Sequence, residues 1–332
     1  MSGSEKFLIL GSNSFSGASF VRYLLEQGNE VIGVSRSPEP NRVFLPYRWD
    51  GKDGAFRFHR LDLNHDLDTI MSLANDERPH YVVNFAAQSM VAESWKNPDH
   101  WFMTNVVSTV RLHERLRHVD YLDKYVHVTT PEVYGSTQGS IKEETPFNPS
   151  TPYAVSRAAG DMSLRTFIEA YRFPAVFTRA ANVYGPGQQL YRIIPRTILF
   201  ILLGRKLQLQ GGGLSRRSFI HMRDVSDATL RIAREAPIGG TYHISTNEIV
   251  TIRELVERIC TKLDVRFEDS VEIVGDRLGK DAAYMLDSAK LRELLAWREQ
   301  VSLNQGLDEC IDWVRSNFET LKNERYDYLH KA

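Results

Sequence analysis

The stretch that most constrains the fold runs Phe7-Leu8-Ile9-Leu10, then GSNSFSG from Gly11 to Gly17, then the amphipathic ASFVRYLLEQG ending at Gly28. The apolar run reads as a strand, the periodic segment as a helix and Gly28 as its stop. Gly11 and Gly17 permit a tight turn and close helix–strand packing, with Ser14 in the place of a middle glycine. Such a helix N-terminus seats a pyrophosphate. A plain connector has a similar composition, but the second strand at residues 30–34 favours the phosphate reading. That strand ends in Ser35-Arg36-Ser37, where a dinucleotide without a 2′-phosphate usually meets an acidic residue. A cation there, with Ser37 and Arg42 nearby, favours NADP over NAD; otherwise Arg36 is a solvated loop arginine.

Strands and helices keep alternating through the first half. Residues 56–59 lead into Leu61-Asp62-Leu63 and a helix, and residues 81–85 run into Ala86-Ala87-Gln88-Ser89, small enough to let backbone approach a ligand. A long helical stretch at 98–117, containing Asn105, precedes a strand at 125–128. This order predicts a parallel sheet covered on both faces, with ligands at the strand C-termini. Thr129, Thr130 and Glu132 emerge at such an end, and Pro131, lacking an N–H, fits poorly inside a ladder. Pro149 and Pro152 then bracket Ser150-Thr151, opening a helix that carries Tyr153 and Arg157 four residues apart on one face. A phenol, with a reference pKa of about 10, works as a base near neutrality only if its phenolate is stabilised. A cation roughly 5 Å away, at an effective dielectric of about 20, supplies on the order of 3 kcal/mol. At this spacing the pair is also often just a surface contact, so the surroundings decide.

Composition removes several classes. With 41 basic and 42 acidic residues there is no electrostatic footprint for nucleic acid or an anionic membrane. The N-terminal apolar run is too short for a signal peptide or a membrane span, and IIPRTILFILLG is too broken for a span. Cys260 and Cys310 are too few for a disulfide framework or a cysteine zinc site and suit a reducing cytosol, and the ten histidines show no metal-ligand spacing. The 332 residues, 42% hydrophobic, fill one large domain or two moderate ones. After Asn182 the glycine-clustered YGPGQQLYRIIPRTILFILLGRKLQLQGGG marks a change of character, residues 240–246 return to strand, and two helices at 253–263 and 287–297 close the chain. The expected division is a dinucleotide domain at 1–182, rejoined by 216–247, and a smaller nucleotide-sugar domain at 183–215 and 248–332.

VVNFAAQSMVAESWKNP, TNVVST, TTPEVYG, TPYAVSRAAGD, TRAANVYGPGQ, SRRSFIHMRDVSDA and YMLDSAKLRELLAW follow one another in this order. In these motifs, over nearly its whole length, the chain resembles the nucleotide-sugar 4,6-dehydratases of the extended short-chain dehydrogenase/reductase superfamily. The resemblance implies an α/β fold: a Rossmann-type doubly wound parallel sheet with a smaller C-terminal substrate-binding domain. It further implies tightly bound, recycled NADP or NAD, a nucleotide-diphosphate sugar as substrate, a cytoplasmic enzyme, and a homodimer built on the helices at 98–117 and 152–171. No metal, nucleic acid or membrane is expected. Gly11, Ser14, Phe15 and Gly17 fall at the cofactor's pyrophosphate turn, Asp62 and Leu63 at the adenine, and Ala86, Ala87 and Gln88 at the nicotinamide side, where Gln88 also meets substrate. Ser35 and Arg36 join them from the second strand. Thr130, Glu132, Tyr153 and Arg157 are the expected catalytic group, the last two also touching cofactor, and Asn182 and Arg217 hold the substrate diphosphate.

In the family the tyrosine deprotonates the sugar's 4-hydroxyl as hydride leaves C4, a carboxylate removes the C5 proton, the C6 hydroxyl departs and hydride returns to C6. This chain differs at three places. The usual lysine is Arg157. The aspartate that protonates the departing hydroxyl is Pro131. An arginine pair of the relatives is Ala282-Ala283, so Arg192 and Lys280 become candidates for the rest of the diphosphate clamp. Glu132 is therefore expected to remove the C5 proton and then return it to the departing oxygen. A nucleotide-sugar decarboxylase or epimerase, which needs no such acid, is the alternative, followed by a non-catalytic NAD(P)-binding protein.

Overall fold

The computed structural model describes residues 4–51, 53–137, 139–275 and 285–331. The chain opens with β1 (Lys6–Leu10), α1 (Phe15–Glu26), β2 (Glu30–Ser35), β3 (Phe56–Arg60), α2 (Leu67–Glu77) and β4 (Tyr81–Asn84). It continues with α3 (Val91–Ser94), α4 (Pro98–Phe102), a π-helical turn (Met103–Ser108), α5 (Thr109–Leu116), β5 (Lys124–Val128), β6 (Ser140–Ile141), α6 (Pro152–Tyr171), β7 (Ala175–Ala180) and β8 (Asn182–Tyr184). There follow α7 (Ile193–Leu202), β9 (Leu207–Gln210), β10 (Arg216–His221), α8 (Met222–Glu235), β11 (Thr241–Ile244), β12 (Ile249–Thr251) and α9 (Ile252–Lys262). The last elements are α10 (Phe267–Ser270), β13 (Val271–Val274), β14 (Met285–Leu286), α11 (Ala289–Leu294), α12 (Leu303–Ser316) and α13 (Phe318–Leu321).

Seven strands form one parallel sheet in the order β11-β7-β5-β4-β1-β2-β3, the doubly wound α/β arrangement expected from the alternation of elements. Strand β1 explains why its sequence is apolar throughout. Phe7 and Ile9 bury against α1 and α8 residues such as Phe20 and Ala228, while Leu8 and Leu10 bury on the opposite face with Val82 and Leu112. Smaller sheets, β12-β10-β8 and β13-β9, carry the chain away from the main one. With α7, α9 and α12 they enclose a second core of Ile194, Ile198, Leu255, Ile259, Leu307 and Val314.

The helix expected at 98–117 is broken by its π-helical turn, within which Asn105 is buried and bonded outward. Its Oδ1 accepts from the Gln88 N–H at 2.9 Å, and its Nδ2 donates to Gln88 O and to Ser156 Oγ, each at 3.0 Å. The C-terminal reading needs correction. Helix α11 covers only Ala289–Leu294, and the larger α12, with a capping box between Ser302 and Gln305, follows it.

Candidate active site

The carboxyl ends of the parallel strands open into a cleft of about 1310 Å³ and an adjoining pocket of about 320 Å³. Gly11, Ser14, Ser35, Arg36, Asp62, Leu63, Ala86, Ala87 and Gln88 line the smaller pocket, and Ser14, Phe15, Arg36, Ala87 and Gln88 also line the larger. Gly11 has φ +82°, and a Cβ on it would come within 2.7 Å of the Ala86 nitrogen; one on Gly17 would overlap the Gly11 carbonyl oxygen. Ser14 is the N-cap of α1, accepting from the Gly17 N–H at 3.0 Å and donating to Gly11 O at 2.7 Å. This cradle of close-packed backbone over a helix start, beside a pocket, fits a dinucleotide pyrophosphate. Ser35, buried at the end of β2, accepts from the Asn13 N–H at 2.9 Å. Arg36 lies at the same rim, but Arg42 does not join it: its guanidinium donates to Arg48 O at 2.7 Å and lines neither cavity.

The wall of the larger cleft holds Thr130, Glu132, Tyr153 and Arg157. Thr130 leaves β5 in extended conformation and caps a short 3₁₀ turn, Pro131–Tyr134, by accepting from the Glu132 N–H at 3.3 Å. Pro131 occupies the first position of that turn, where a missing N–H costs nothing. Helix α6 starts at Pro152 behind the N-cap Thr151, whose hydroxyl accepts from the Ala154 N–H at 3.1 Å. Tyr153 and Arg157 are both buried, and Arg157 Nη2 donates to Val128 O, tying α6 to the end of β5.

The phenol itself departs from what local spacing implies. Burial raises the Tyr153 pKa above its ordinary 10 and the Glu132 charge raises it further, while Arg157, a hydrogen bond with Thr130 and Arg192 pull the other way without prevailing. Arg157 thus acts in the expected direction on a group that desolvation holds protonated.

Asn182, Arg192 and Arg217 line the same large cleft on the side of the smaller sheets, with Arg196, Arg205 and Lys206 near them. Asn182 Nδ2 donates to Ser218 O at 3.1 Å, Arg217 Nη1 donates to Arg216 O at 2.8 Å, and Arg192 is the N-cap residue of α7. Lys280, Ala282 and Ala283 lie outside the described residues. Among the described residues no group of three His, Cys, Asp or Glu side chains is arranged to hold a metal ion, and no helix is long and apolar enough to cross a membrane.

Two features escaped the sequence reading. One is a buried polar chain behind the wall: Asp161 accepts from Thr129 Oγ1 at 3.0 Å and Arg179 Nη2 at 2.8 Å, and its other oxygen lies 3.3 Å from His127 Nε2. The regular spacing Tyr153, Arg157, Asp161 was the available signal, because all three share one face of α6. The other is the C-terminal segment, since Tyr326, Tyr328, Leu329 and Lys331 line the cleft; a short stretch without periodicity gives no advance sign of docking.

A pyrophosphate cradle beside a Thr, Glu and Tyr wall at the carboxyl ends of parallel strands defines a nucleotide-binding α/β protein of the extended short-chain dehydrogenase/reductase type. Within that class the chain belongs to the family described as GDP-mannose 4,6 dehydratase, whose model matches residues 8–310. It is 35% identical to a dTDP-glucose 4,6-dehydratase of Mycolicibacterium smegmatis, over 94% of each chain. Among solved structures it is similar to the dTDP-glucose 4,6-dehydratase of Streptomyces venezuelae, crystallised with NAD: TM-score 0.87, 32% identity, 95% of this chain and 98% of that one. A UDP-glucuronic acid 4-epimerase of Bacillus cereus, crystallised with NAD, matches at TM-score 0.82 and 26% identity over 94% of this chain and 99% of that one.

Proposed function

We propose that this protein is a nucleotide-sugar 4,6-dehydratase, converting a nucleoside-diphosphate hexose to its 4-keto-6-deoxy product. The observation that carries this reading is the presence of Glu132 beside Thr130 and Tyr153 on one wall of a cleft whose far side is lined by Asn182, Arg192 and Arg217. A nicotinamide cofactor held beside this wall would supply the hydride acceptor for C4 of the sugar and, once reduced, the hydride donor for C6. Tyr153, hydrogen-bonded with Thr130, takes the proton of the 4-hydroxyl in its phenolate form, which Arg157 favours and burial with the Glu132 charge opposes. Glu132 takes the C5 proton, which the neighbouring carbonyl acidifies, and returns it to the departing C6 oxygen, because Pro131 has no proton to give. As hydride adds at C6, C5 regains a proton from solvent through Glu132, and Tyr153 releases to solvent the proton it took. Asn182, Arg192 and Arg217 hold the diphosphate as an amide donor and fixed cations.

The cradle at Gly11, Ser14, Phe15 and Gly17 holds the cofactor's pyrophosphate, and the 320 Å³ pocket its adenosine. The basic Arg36 at the end of β2 favours NADP, although the solved relatives contain NAD. Mass spectrometry of the nucleotide released on denaturing the purified protein decides between them; NAD in the supernatant would refute the assignment of Arg36. A reducing, cytoplasmic setting suits the buried free thiols of Cys260 and Cys310.

The activity itself is tested with a panel of nucleotide hexoses, by mass spectrometry for loss of one water and gain of a ketone. At least one hexose is expected to react, and failure across the panel overturns the proposal. Pro131, together with the structural likeness to an epimerase, supports a second reading as an epimerase or decarboxylase. Epimerised hexose, or carbon dioxide from a nucleotide hexuronate, without dehydration of any hexose, is its signature.

A further inference from the structure

The chain beyond α13 turns back across the cleft, and the chemistry above makes no use of it. Tyr326 accepts from Arg205 Nη1 at 2.7 Å and sits edge-on to Phe200, ring centroids 5.4 Å apart. Asp327 pairs with Arg196 at 3.1 Å, and Tyr328 meets Tyr191 edge-on at 5.4 Å. These contacts belong to α7 and its flanks, on the substrate side. The next residues cross to the dinucleotide side. His330 stacks on Trp101, centroids 5.0 Å apart and planes 16° from parallel, and shares a 2.9 Å hydrogen bond with His100 Nδ1. The main-chain oxygen of Lys331 accepts from Gln88 Nε2 at 2.7 Å and Arg36 Nη2 at 3.1 Å, while its ammonium donates to Ser37 Oγ at 3.0 Å.

Lys331 lines both the large cleft and the smaller pocket, so it lies at their junction, and both cavities stay open with the segment docked. A dinucleotide occupying both pockets runs through that junction. We propose that Tyr326–Lys331 is a strap that fastens the substrate side to the dinucleotide sheet across the middle of the bound cofactor and slows its release. The inference rests on the proposed function only in supposing that the cofactor is recycled and not exchanged at each turnover.

The test follows NADPH or NADH release from the intact protein, without sugar, by loss of bound-cofactor fluorescence after adding excess oxidised cofactor. Two variants are compared: a chain ending at Arg325 and the full chain carrying His330→Ala. Dissociation is expected to quicken tenfold or more in the first and severalfold in the second, with little change in melting temperature. Unchanged release in both overturns the strap. Slower release or tighter binding on truncation overturns it too, by making the segment a competitor of the cofactor. Hydrogen exchange on the unaltered protein guards against a variant that misfolds: added cofactor is expected to increase protection at residues 326–331, and decreased protection refutes the proposal. Because no sugar is present, a chain that keeps its cofactor through the strap yet dehydrates nothing would sink the dehydratase reading alone.

Discussion

Arg179 donates to Asp161 at 2.8 Å where neither side chain has any exposure to solvent. Burial alone would raise the Asp161 pKa, but Arg179, His127 and Arg157 hold it well below the ordinary carboxylate value. Breaking such a pair leaves a buried charge uncompensated. Asp161→Asn is therefore expected to lower unfolding free energy by about 3–5 kcal/mol, read from urea denaturation. Replacing both residues with apolar side chains of similar volume should cost much less. Equal losses in the two variants would show that packing, not charge, is what the pair supplies.

Acid should unfold this protein early. His221 and His243 are buried, and burial brings their pKa values down to about 4 and about 3, with nearby Arg223 and Arg179 adding to the effect; burial also lowers His113 and His127. Unfolded histidine binds a proton near pH 6.5, so below that value the unfolded chain holds more protons than the folded one. Each histidine then removes up to about 1.4 kcal/mol of stability per pH unit, until the folded group itself protonates. Glu143 and Asp224, raised by burial, work in the opposite sense as they protonate. Unfolding free energy at pH 5.5 is expected to lie several kcal/mol below that at pH 7.5, and a flat profile between the two would contradict this.

The two proposed proton carriers separate kinetically. Glu132→Gln should still bind sugar and reduce cofactor, but lose deuterium exchange at C5 and water loss together, by about 10²-fold or more. Tyr153→Phe should lose cofactor reduction as well. Near-normal dehydration by Glu132→Gln would require another acid–base group.

Gly17→Ala tests the cradle. The added methyl would overlap the Gly11 carbonyl oxygen, so α1 has to move away from the turn. Calorimetric titration is expected to show cofactor affinity reduced at least tenfold, with a stability cost of about 1–3 kcal/mol. Unaltered affinity would remove the pyrophosphate from this turn.

Association of two copies is expected from an apolar face. Trp95 and Met162 are each 60% exposed, and Phe102, Met103 and Val155 are exposed on the neighbouring turns of the α3–α5 and α6 helices. Light scattering at micromolar concentration should give a homodimer, and Met162→Glu a monomer; a monomeric parent protein refutes the assignment.

What the sequence revealed was mainly local. The β1 turn and the start of α6 were legible because Gly11, Gly17, Thr151 and Pro152 state their backbone roles over a few residues. Helix α12 was legible too and was missed: Ser302 with Gln305 is a capping box, and Leu303, Leu307, Cys310 and Val314 repeat at helical spacing. The state of the Tyr153 phenol was not legible, because Arg157 is visible four residues away whereas desolvation comes from everything packed around the ring. Nor was the pairing of Asp161 with Arg179, which only the packing of α6 on β7 creates.

The interleaving of the two sheets sets the order in which the newborn chain can finish folding. Asn182 of β8 pairs with Phe219 of β10, and Leu207 of β9 with Val271 of β13, while β11, which lies between β9 and β13 in sequence, completes the edge of the main sheet beside β7. Neither lobe can close until synthesis has passed most of the other, so long-range pairing delays both. A single calorimetric transition is expected on heating, and two resolved transitions would refute it. A cavity cut at Ile198 in the smaller lobe should then lower the melting temperature of the dinucleotide sheet as well.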